Sequence, residues 1–468
     1  MYKLSGEQCK ALYLPDDMNI VLLGPAGSGK SLIALYKAVF FLMCHSEQRC
    51  CLVCYNSPIV NKMKADFEVI LSNLTLTEEE KKSIRTRILI NTHYSLMKDN
   101  LNTINKKNNY FLTNSIPSEL VSITNRAFDD IISKLIKIAN EKFGDSRLFS
   151  RSLVFFRNEI SWIQGMGIDT VDKYENIERL GRGRIDPVNR GTERRIIYFI
   201  FEEYKKIRKE EYNRNFDFND ISWVLLENEK YIDEDNKFDF IIIDEFQDMD
   251  KSKIQSLTCL MKLNGNILLL GDFAQQILGT SISFKQLGIN NVSKFKLSKN
   301  YRNTKQISEL ANSIIERGLI EENEDEKINR LISTRRGPIP NIIKTKKSNY
   351  SELISKFFKE KRGSNGIIYM NLENASILKG IVDRLPNKIE VYGINRVKGL
   401  EFDNLLIIDI DEVENLSEYD NVEGNENGEI AKKLYVAITR AKTNLLLAYT
   451  EYDMAYYLKK ENMVQIDE

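Results

Sequence analysis

Gly24, Gly29, Lys30 and Ser31 stand at the offsets that chemistry on a phosphate chain requires, within the run Gly24-Pro25-Ala26-Gly27-Ser28-Gly29-Lys30-Ser31. Gly24 and Gly29 let the backbone turn tightly enough to aim successive N–H groups at phosphate oxygens. Lys30 would place a point charge between the β- and γ-phosphates, and Ser31 would offer a hydroxyl to Mg²⁺. Asp244 and Glu245, at the end of Lys237-Phe238-Asp239-Phe240-Ile241-Ile242-Ile243, would complete a hydrolytic site. Asp244 would hold the metal and Glu245 would polarise the attacking water. An apolar run ending in two carboxylates describes many strands that simply reach solvent. The loop at 24–31 gives this one a chemical meaning.

The elements needed to position these groups are also readable. Ile20-Val21-Leu22-Leu23 is a short apolar run of the kind buried in a parallel sheet, and Leu32 to Leu42 continues as a helix whose N-terminus favours an anion. The run before Asp244 is a second such strand, delivering its acids to the carboxyl edge of the sheet, where ligands bind in open α/β folds. The fold class is therefore α/β with parallel sheets.

Asp244-Glu245-Phe246-Gln247-Asp248 resembles the DExQD box of superfamily 1 helicases of the UvrD and Rep type, and further blocks agree in order and spacing. Leu4-Ser5-Gly6-Glu7-Gln8 resembles the Q motif, which implies that Gln8 reads the adenine edge. Cys51-Leu52-Val53-Cys54-Tyr55-Asn56 is similar to the block that touches single-stranded DNA, and Asn91-Thr92-His93-Tyr94-Ser95-Leu96 to the Thr-x-His block after it. Leu270-Gly271-Asp272-Phe273-Ala274-Gln275 looks like the next block, with Gln275 sensing the γ-phosphate. Asn300-Tyr301-Arg302-Asn303-Thr304 is similar to the NYR block, which implies Tyr301 against the base and Arg302 on the γ-phosphate. Lys398-Gly399-Leu400-Glu401-Phe402-Asp403 resembles KGLEFD, with Glu401 on the ribose. Tyr435-Val436-Ala437-Ile438-Thr439-Arg440-Ala441-Lys442 resembles VAxTRA, with Arg440 as a second arginine finger. The resemblance runs from residue 4 to residue 442.

It implies two RecA-like P-loop motor domains plus an inserted, mainly helical accessory domain. Residues 1–95 and 236–282 would form the first motor domain, 96–235 the insertion and 283–468 the second motor domain. The roughly 90 residues between Arg302 and Lys398 leave no room for the second accessory domain common in the family. Two departures stand out. After Gln275 the chain continues Gln276-Ile277-Leu278-Gly279-Thr280, without the usual stacking aromatic, for which Phe284 is the nearby substitute. Before Lys398 it carries Gly393-Ile394-Asn395 in place of Thr-x-His. Base stacking is worth about 1–3 kcal/mol per aromatic, so the first departure puts the usual stacking platform in doubt, and the second predicts weaker contact to the DNA strand there.

Composition bounds the rest. At 468 residues and 42% hydrophobic content the chain can bury two or three cores. Lys plus Arg and Asp plus Glu both number 67, so any nucleic-acid surface must be local. One candidate stretch holds Arg182, Arg184, Arg190, Arg194, Arg195, Lys205, Lys206, Arg208 and Lys209, but Glu202, Glu203, Glu210 and Glu211 interleave with it as on a solvated helix face. Cys44, Cys50, Cys51 and Cys54 cluster beside His45, yet Cys50 to Tyr55 is a predicted buried strand and the spacing lacks two separated ligand pairs. Neither a membrane-length apolar stretch nor a signal-peptide pattern is read, so a cytoplasmic protein with no membrane partner is expected.

The expected activity is an ATP-driven translocase or helicase on single-stranded or tailed duplex DNA, moving 3′ to 5′ by resemblance, with ATP and Mg²⁺ as cofactors. The alternative is a DNA-gated ATPase subunit of a larger complex, such as a bacterial antiphage nuclease–helicase system, with weak unwinding alone and a nuclease or other protein partner. A non-motor P-loop enzyme is disfavoured by the two arginine fingers and the KGLEFD block.

Overall fold

The computed structural model describes residues 4–54, 56–108, 124–177, 188–212, 216–272, 289, 292–317, 330–411, 426–451, 458 and 462–466. Two six-stranded sheets dominate it, and every strand pair in both is parallel.

The first sheet contains β1 (Asn19–Leu23), β2 (Cys50–Cys54), β3 (Ile88–Thr92), β4 (Phe238–Asp244), β5 (Met261–Gly271) and β6 (Val292–Lys296), in the order β3-β2-β4-β5-β1-β6. Side chains alternate across a strand, and the cores divide accordingly. Ile20, Leu22, Cys50, Leu52, Phe240 and Ile242 face one layer with α2 (Lys30–Cys44) and α3 (Ser57–Ser72). Val21, Cys51, Val53, Ile241 and Ile243 face the other, where they share a core with helices of the insertion such as Leu153–Met166 and Thr192–Tyr212. Full burial of each such side chain is worth about 1.5–3 kcal/mol. Helices between β3 and β4 thus cover much of one face of the first sheet.

β6 corrects the expected boundary at residue 282, since Val292–Lys296 pairs with β1 along its whole length and belongs to the first sheet. Its sequence, Val-Ser-Lys-Phe-Lys, is that of a half-exposed edge strand and lacks the apolar run that marks the interior strands.

The second sheet runs β11 (Ile389–Gly393), β10 (Asn365–Tyr369), β12 (Phe402–Ile408), β13 (Ala441–Tyr449), β9 (Asn341–Lys344) and β14 (Val464–Ile466). One face, with Ile342, Ile368, Leu405, Ile407 and Leu447, packs against the helices Lys305–Glu316 and Glu426–Ile438. The other, with Ile343, Ile367, Leu406 and Leu446, packs against Tyr350–Phe358 and Ala375–Val382. A two-stranded ribbon, β7 (Lys299–Asn300) with β8 (Ile332–Ser333), lies where the chain passes from one sheet to the other. Among the described residues no helix is long and apolar enough to cross a membrane.

Candidate functional site

The loop between β1 and α2 is shaped by its glycines. Gly27 (φ 70°) and Gly29 (φ 86°) adopt the left-handed region, which a side chain would strain. Space is closed as well: a Cβ on Gly27 would come within 2.4 Å of Arg302 Cβ, and one on Gly29 within 2.3 Å of Gln8 Nε2. The Gly24 N–H donates to Gly271 O at 3.1 Å, tying the loop to the end of β5. Lys30 opens α2 and turns its Nζ onto the loop, donating to Gly24 O (2.8 Å) and Pro25 O (3.2 Å). Ala26 packs into the core of the second sheet, so the loop touches both halves of the molecule. The Ser28 hydroxyl is buried without a hydrogen-bond partner.

Gln8, on α1 (Gly6–Leu12), reaches the same loop. Its Nε2 donates to Ser28 O (2.8 Å) and its Oε1 accepts from Ser5 N (2.9 Å), so both ends of the amide are engaged within the chain.

Across the loop stand the carboxylates of β4. The Ser31 hydroxyl donates to Asp244 Oδ2 at 2.6 Å, while the buried Asp244 Oδ1 has no partner. A hydroxyl beside a carboxylate with an unspent oxygen is a donor set suited to a hard divalent cation. Burial first, then the adjacent Glu245 charge, raises Asp244 above the ordinary carboxylate range. Burial would also raise Glu245, but Lys30, the Gln247 hydrogen bond, Arg440 and Lys398 outweigh it and keep this carboxyl low. Glu245 sits at φ 57°, a left-handed position rare outside glycine. It accepts from Gln247 Nε2 (2.7 Å), and Gln247 Oε1 accepts from Asp272 N (3.1 Å), which joins the ends of β4 and β5.

The opposite wall comes from the second half. Tyr301 N donates to Gly27 O at 2.9 Å. Asn300 Oδ1 accepts from Arg302 N (2.8 Å) and Asn303 N (3.0 Å), and Asn303 Nδ2 donates to Thr439 O (3.1 Å) and Ala441 O (2.5 Å). These bonds set Arg302 beside Arg440. Arg440 is buried, donates through Nε to Val436 O at 3.0 Å, and is lowered to about 10 by burial and by Arg302. Arg302 lies 2.5 Å from Glu401 Oε1, and Lys442 lies 3.5 Å from Glu401 Oε2. Burial would raise Glu401, but Arg302, Lys62 and Lys442 hold it near 2. The Tyr301 ring is 42% exposed, and its hydroxyl accepts from Ser5 Oγ.

One cavity of about 540 Å³ is lined by Gln8, Gly27, Gly29, Lys30 and Ser31 on one side and by Tyr301, Arg302 and Glu401 on the other, with Asp244 and Glu245 at its floor. The structure thus brings together most of the expected site residues. Gln275 lies outside the described residues, as do Tyr55, Leu278, Thr280 and Phe284.

Sequence reasoning missed a buried ion pair across the cleft. Lys398 Nζ lies 2.5 Å from Asp248 Oδ1, with side chains 6% and 0% exposed. Both residues stand in blocks singled out above, but no role was assigned to either. Glu7 was missed too: it accepts from Ser298 N (2.9 Å) and Ser298 Oγ (2.5 Å), fastening α1 to the link between β6 and the residue pair Lys299–Asn300. Their signal was present as charges inside otherwise apolar or motif-bearing stretches.

Much of the basic stretch is paired within the fold, while Arg190 and Lys209 are exposed. Arg194 is buried and donates to Tyr174 O, Glu175 O and Ile177 O, while Arg208 pairs with Asp217 and Asp220. Arg195 pairs with Glu175, Lys205 with Glu202 and Lys206 with Glu203. Arg182 and Arg184 lie outside the described residues. Cys50, Cys51 and Cys54 are buried in β2, and burial pushes the Cys51 thiol up to about 12. No cluster of metal-binding side chains occurs among the described residues.

Residues 4–299 match the UvrD/REP helicase N-terminal domain, and residues 343–452 match the UvrD-like helicase C-terminal domain. The chain is 26% identical over 337 residues to a protein of Mycoplasma genitalium named "Probable DNA helicase II homolog", covering 67% of this chain and 42% of that one. It is 23% identical over 330 residues to "ATP-dependent DNA helicase Rep" of Buchnera aphidicola, covering 67% and 45%. The chain thus spans less than half the length of these two relatives.

Proposed function

The chain belongs to the UvrD/Rep helicase family, and from that premise we propose that it is an ATP-dependent translocase or helicase acting on single-stranded DNA, moving 3′ to 5′. The observation that carries this reading is the division of one cavity between two sheets: Lys30, Ser31, Asp244 and Glu245 on one wall, Arg302 on the other, with Arg440 buried behind it. A site split in this way reacts only when its walls meet, and closure and reopening is the stroke of a motor.

The residues take distinct roles in hydrolysis. Lys30 exchanges the loop carbonyls for phosphate oxygens. Mg²⁺ held by Ser31 and Asp244 would neutralise charge on the β- and γ-phosphates. Glu245, kept ionised by its cationic surroundings, accepts a hydrogen bond from the attacking water and orients it. Arg302 and Arg440 meet the charge that spreads over the transferring phosphoryl group, an effect worth roughly 10³ to 10⁵ in rate. Tyr301 and Gln8 line the part of the cavity available to the base.

The test is ATP hydrolysis by the purified chain with and without single-stranded DNA, followed by strand displacement on duplexes with a 3′ or a 5′ tail. Stimulation by DNA and unwinding from the 3′ tail support the reading. Hydrolysis indifferent to DNA overturns it. Stimulation without unwinding selects the alternative in which the chain gates a nuclease or other partner.

A further inference from the structure

Arg302 is only partly satisfied. One terminal nitrogen pairs with Glu401 at 2.5 Å, the other stands 3.5 Å from Thr439 O, and the buried Nε–H has no acceptor. A partly buried guanidinium whose buried Nε–H is unspent, beside a phosphate-type loop, is poised for another anion. Glu401 is in the opposite condition. It has Lys442 at 3.5 Å on its second oxygen and the charge of Lys62, from α3, on the side of the first sheet.

We propose that Glu401 is a positioning residue that parks Arg302 away from the phosphates, and that the terminal phosphate of a bound triphosphate takes Arg302 from it. This rests on the triphosphate-binding reading above. Two features make the handover reversible. The stem of Arg302 is fixed, because Tyr301 N is bonded to Gly27 O and Arg302 N to Asn300 Oδ1, so only the head of the side chain has to swing. After the swing Glu401 keeps the cationic neighbours Lys442 and Lys62, so the departing guanidinium does not leave this partly buried carboxylate uncompensated, which would be unfavourable. Glu401 therefore competes with phosphate for the finger, and Arg302 engages only a ligand able to displace it.

Inorganic tripolyphosphate is the probe, since it carries the competing anion without base or sugar. Its dissociation constant is measured by titration calorimetry on the full chain with Mg²⁺. Glu401→Gln should tighten it at least about tenfold, within the range of direct pair couplings, and Glu401→Asp, whose shorter side chain retreats from Arg302, should tighten it less. Asp66→Asn removes a different carboxylate lining the same cavity and reports the general effect of lost negative charge, expected to be about threefold or less. In an Arg302→Ala background the Glu401→Gln gain should vanish. Equal gains from Asp66→Asn and Glu401→Gln, a gain that survives without Arg302, or no gain from either Glu401 variant overturns the proposal. Wild-type ATP turnover, measured in parallel, reports separately on the proposed function: its absence removes that reading, while the tripolyphosphate cycle still reports on the handover.

Discussion

Lys398→Met probes the cleft through a residue that does not line the nucleotide cavity. Methionine keeps the length and apolar stem of lysine and deletes the charge, leaving Asp248 buried without the partner 2.5 Å away. Removing one member of a buried pair costs about 3–5 kcal/mol, because the remaining charge stays desolvated. Asp248 ends the short turn Phe246–Asp248 that begins at Glu245, and Lys398 is one of the cations that keep Glu245 low. The loss should therefore fall on the closed, reacting state. An energy of that size corresponds to a drop of about 10²- to 10⁴-fold in kcat. The KM for ATP should change little, since neither Lys398 nor Asp248 lines the cavity. The assay is steady-state, DNA-stimulated ATP hydrolysis, with urea unfolding to separate catalytic loss from general instability. Asp248→Asn should behave alike, and the double variant should be little worse than either single one, as expected for two residues acting as a unit. A folded Lys398→Met protein with kcat within about threefold of wild type would refute the idea that this pair sets the geometry of the Glu245 turn.

Glu245→Gln should reduce turnover by at least about 10²-fold while leaving the ATP dissociation constant nearly unchanged, because the group acts on the water and not on nucleotide binding; near-normal turnover with DNA present would remove it as the base. Gly29→Ala should abolish nucleotide binding and lower stability by about 1–3 kcal/mol, since the new methyl meets Gln8 Nε2 and the left-handed backbone resists it; thermal unfolding with and without ATP reads both effects. His93, buried between the hydroxyls of Ser256 (3.0 Å) and Ser222 (3.2 Å), has its pKa lowered from 6.5 to about 3 by burial and by Lys253. The unfolded chain takes up this proton first, so stability is fully present above pH 6.5 and is lost as pH falls toward 3, by roughly 2 kcal/mol at pH 5. His93→Gln should flatten that part of the stability–pH curve, and identical curves for the two proteins would show that His93 titrates normally.

The elements whose chemistry is local were the legible ones. The phosphate loop and the β4 carboxylates are specified by neighbours a few residues away, so their spacing announced them, whereas Arg302 and Arg440 were legible only through the resemblance of their blocks to a known family. β6 was hidden because an edge strand that carries lysines lacks the apolar run of the interior strands, so nothing in it assigned it to the first sheet. The Lys398–Asp248 pair was hidden for a different reason: its partners are 150 positions apart, and nothing in either segment names the other. The same holds for Arg302 and Glu401. Each was recognisable as part of a block, but their contact is a property of how two sheets face one another. The roles of Arg195 and Arg208 likewise depended on partners, Glu175 and Asp217, that only folding brings near.

The order of strands in the first sheet has a consequence for how the protein is made. β1, which carries the phosphate loop, is flanked only by β5 and β6, and Asn19 finds its bonding partner at Ile267, 248 positions later. β2 likewise needs β4 on one side, with Cys50 opposite Phe240. During synthesis the loop-bearing strand therefore leaves the ribosome as an unpaired apolar segment and stays so until more than half of the chain has followed. Pairing at such separation is slow and leaves strand edges open to wrong partners. Chains halted before β5 hold every residue of the phosphate loop and still lack the sheet that shapes it, so nucleotide binding should arise abruptly as a nascent chain is lengthened past Gly271, rather than in proportion to the length made.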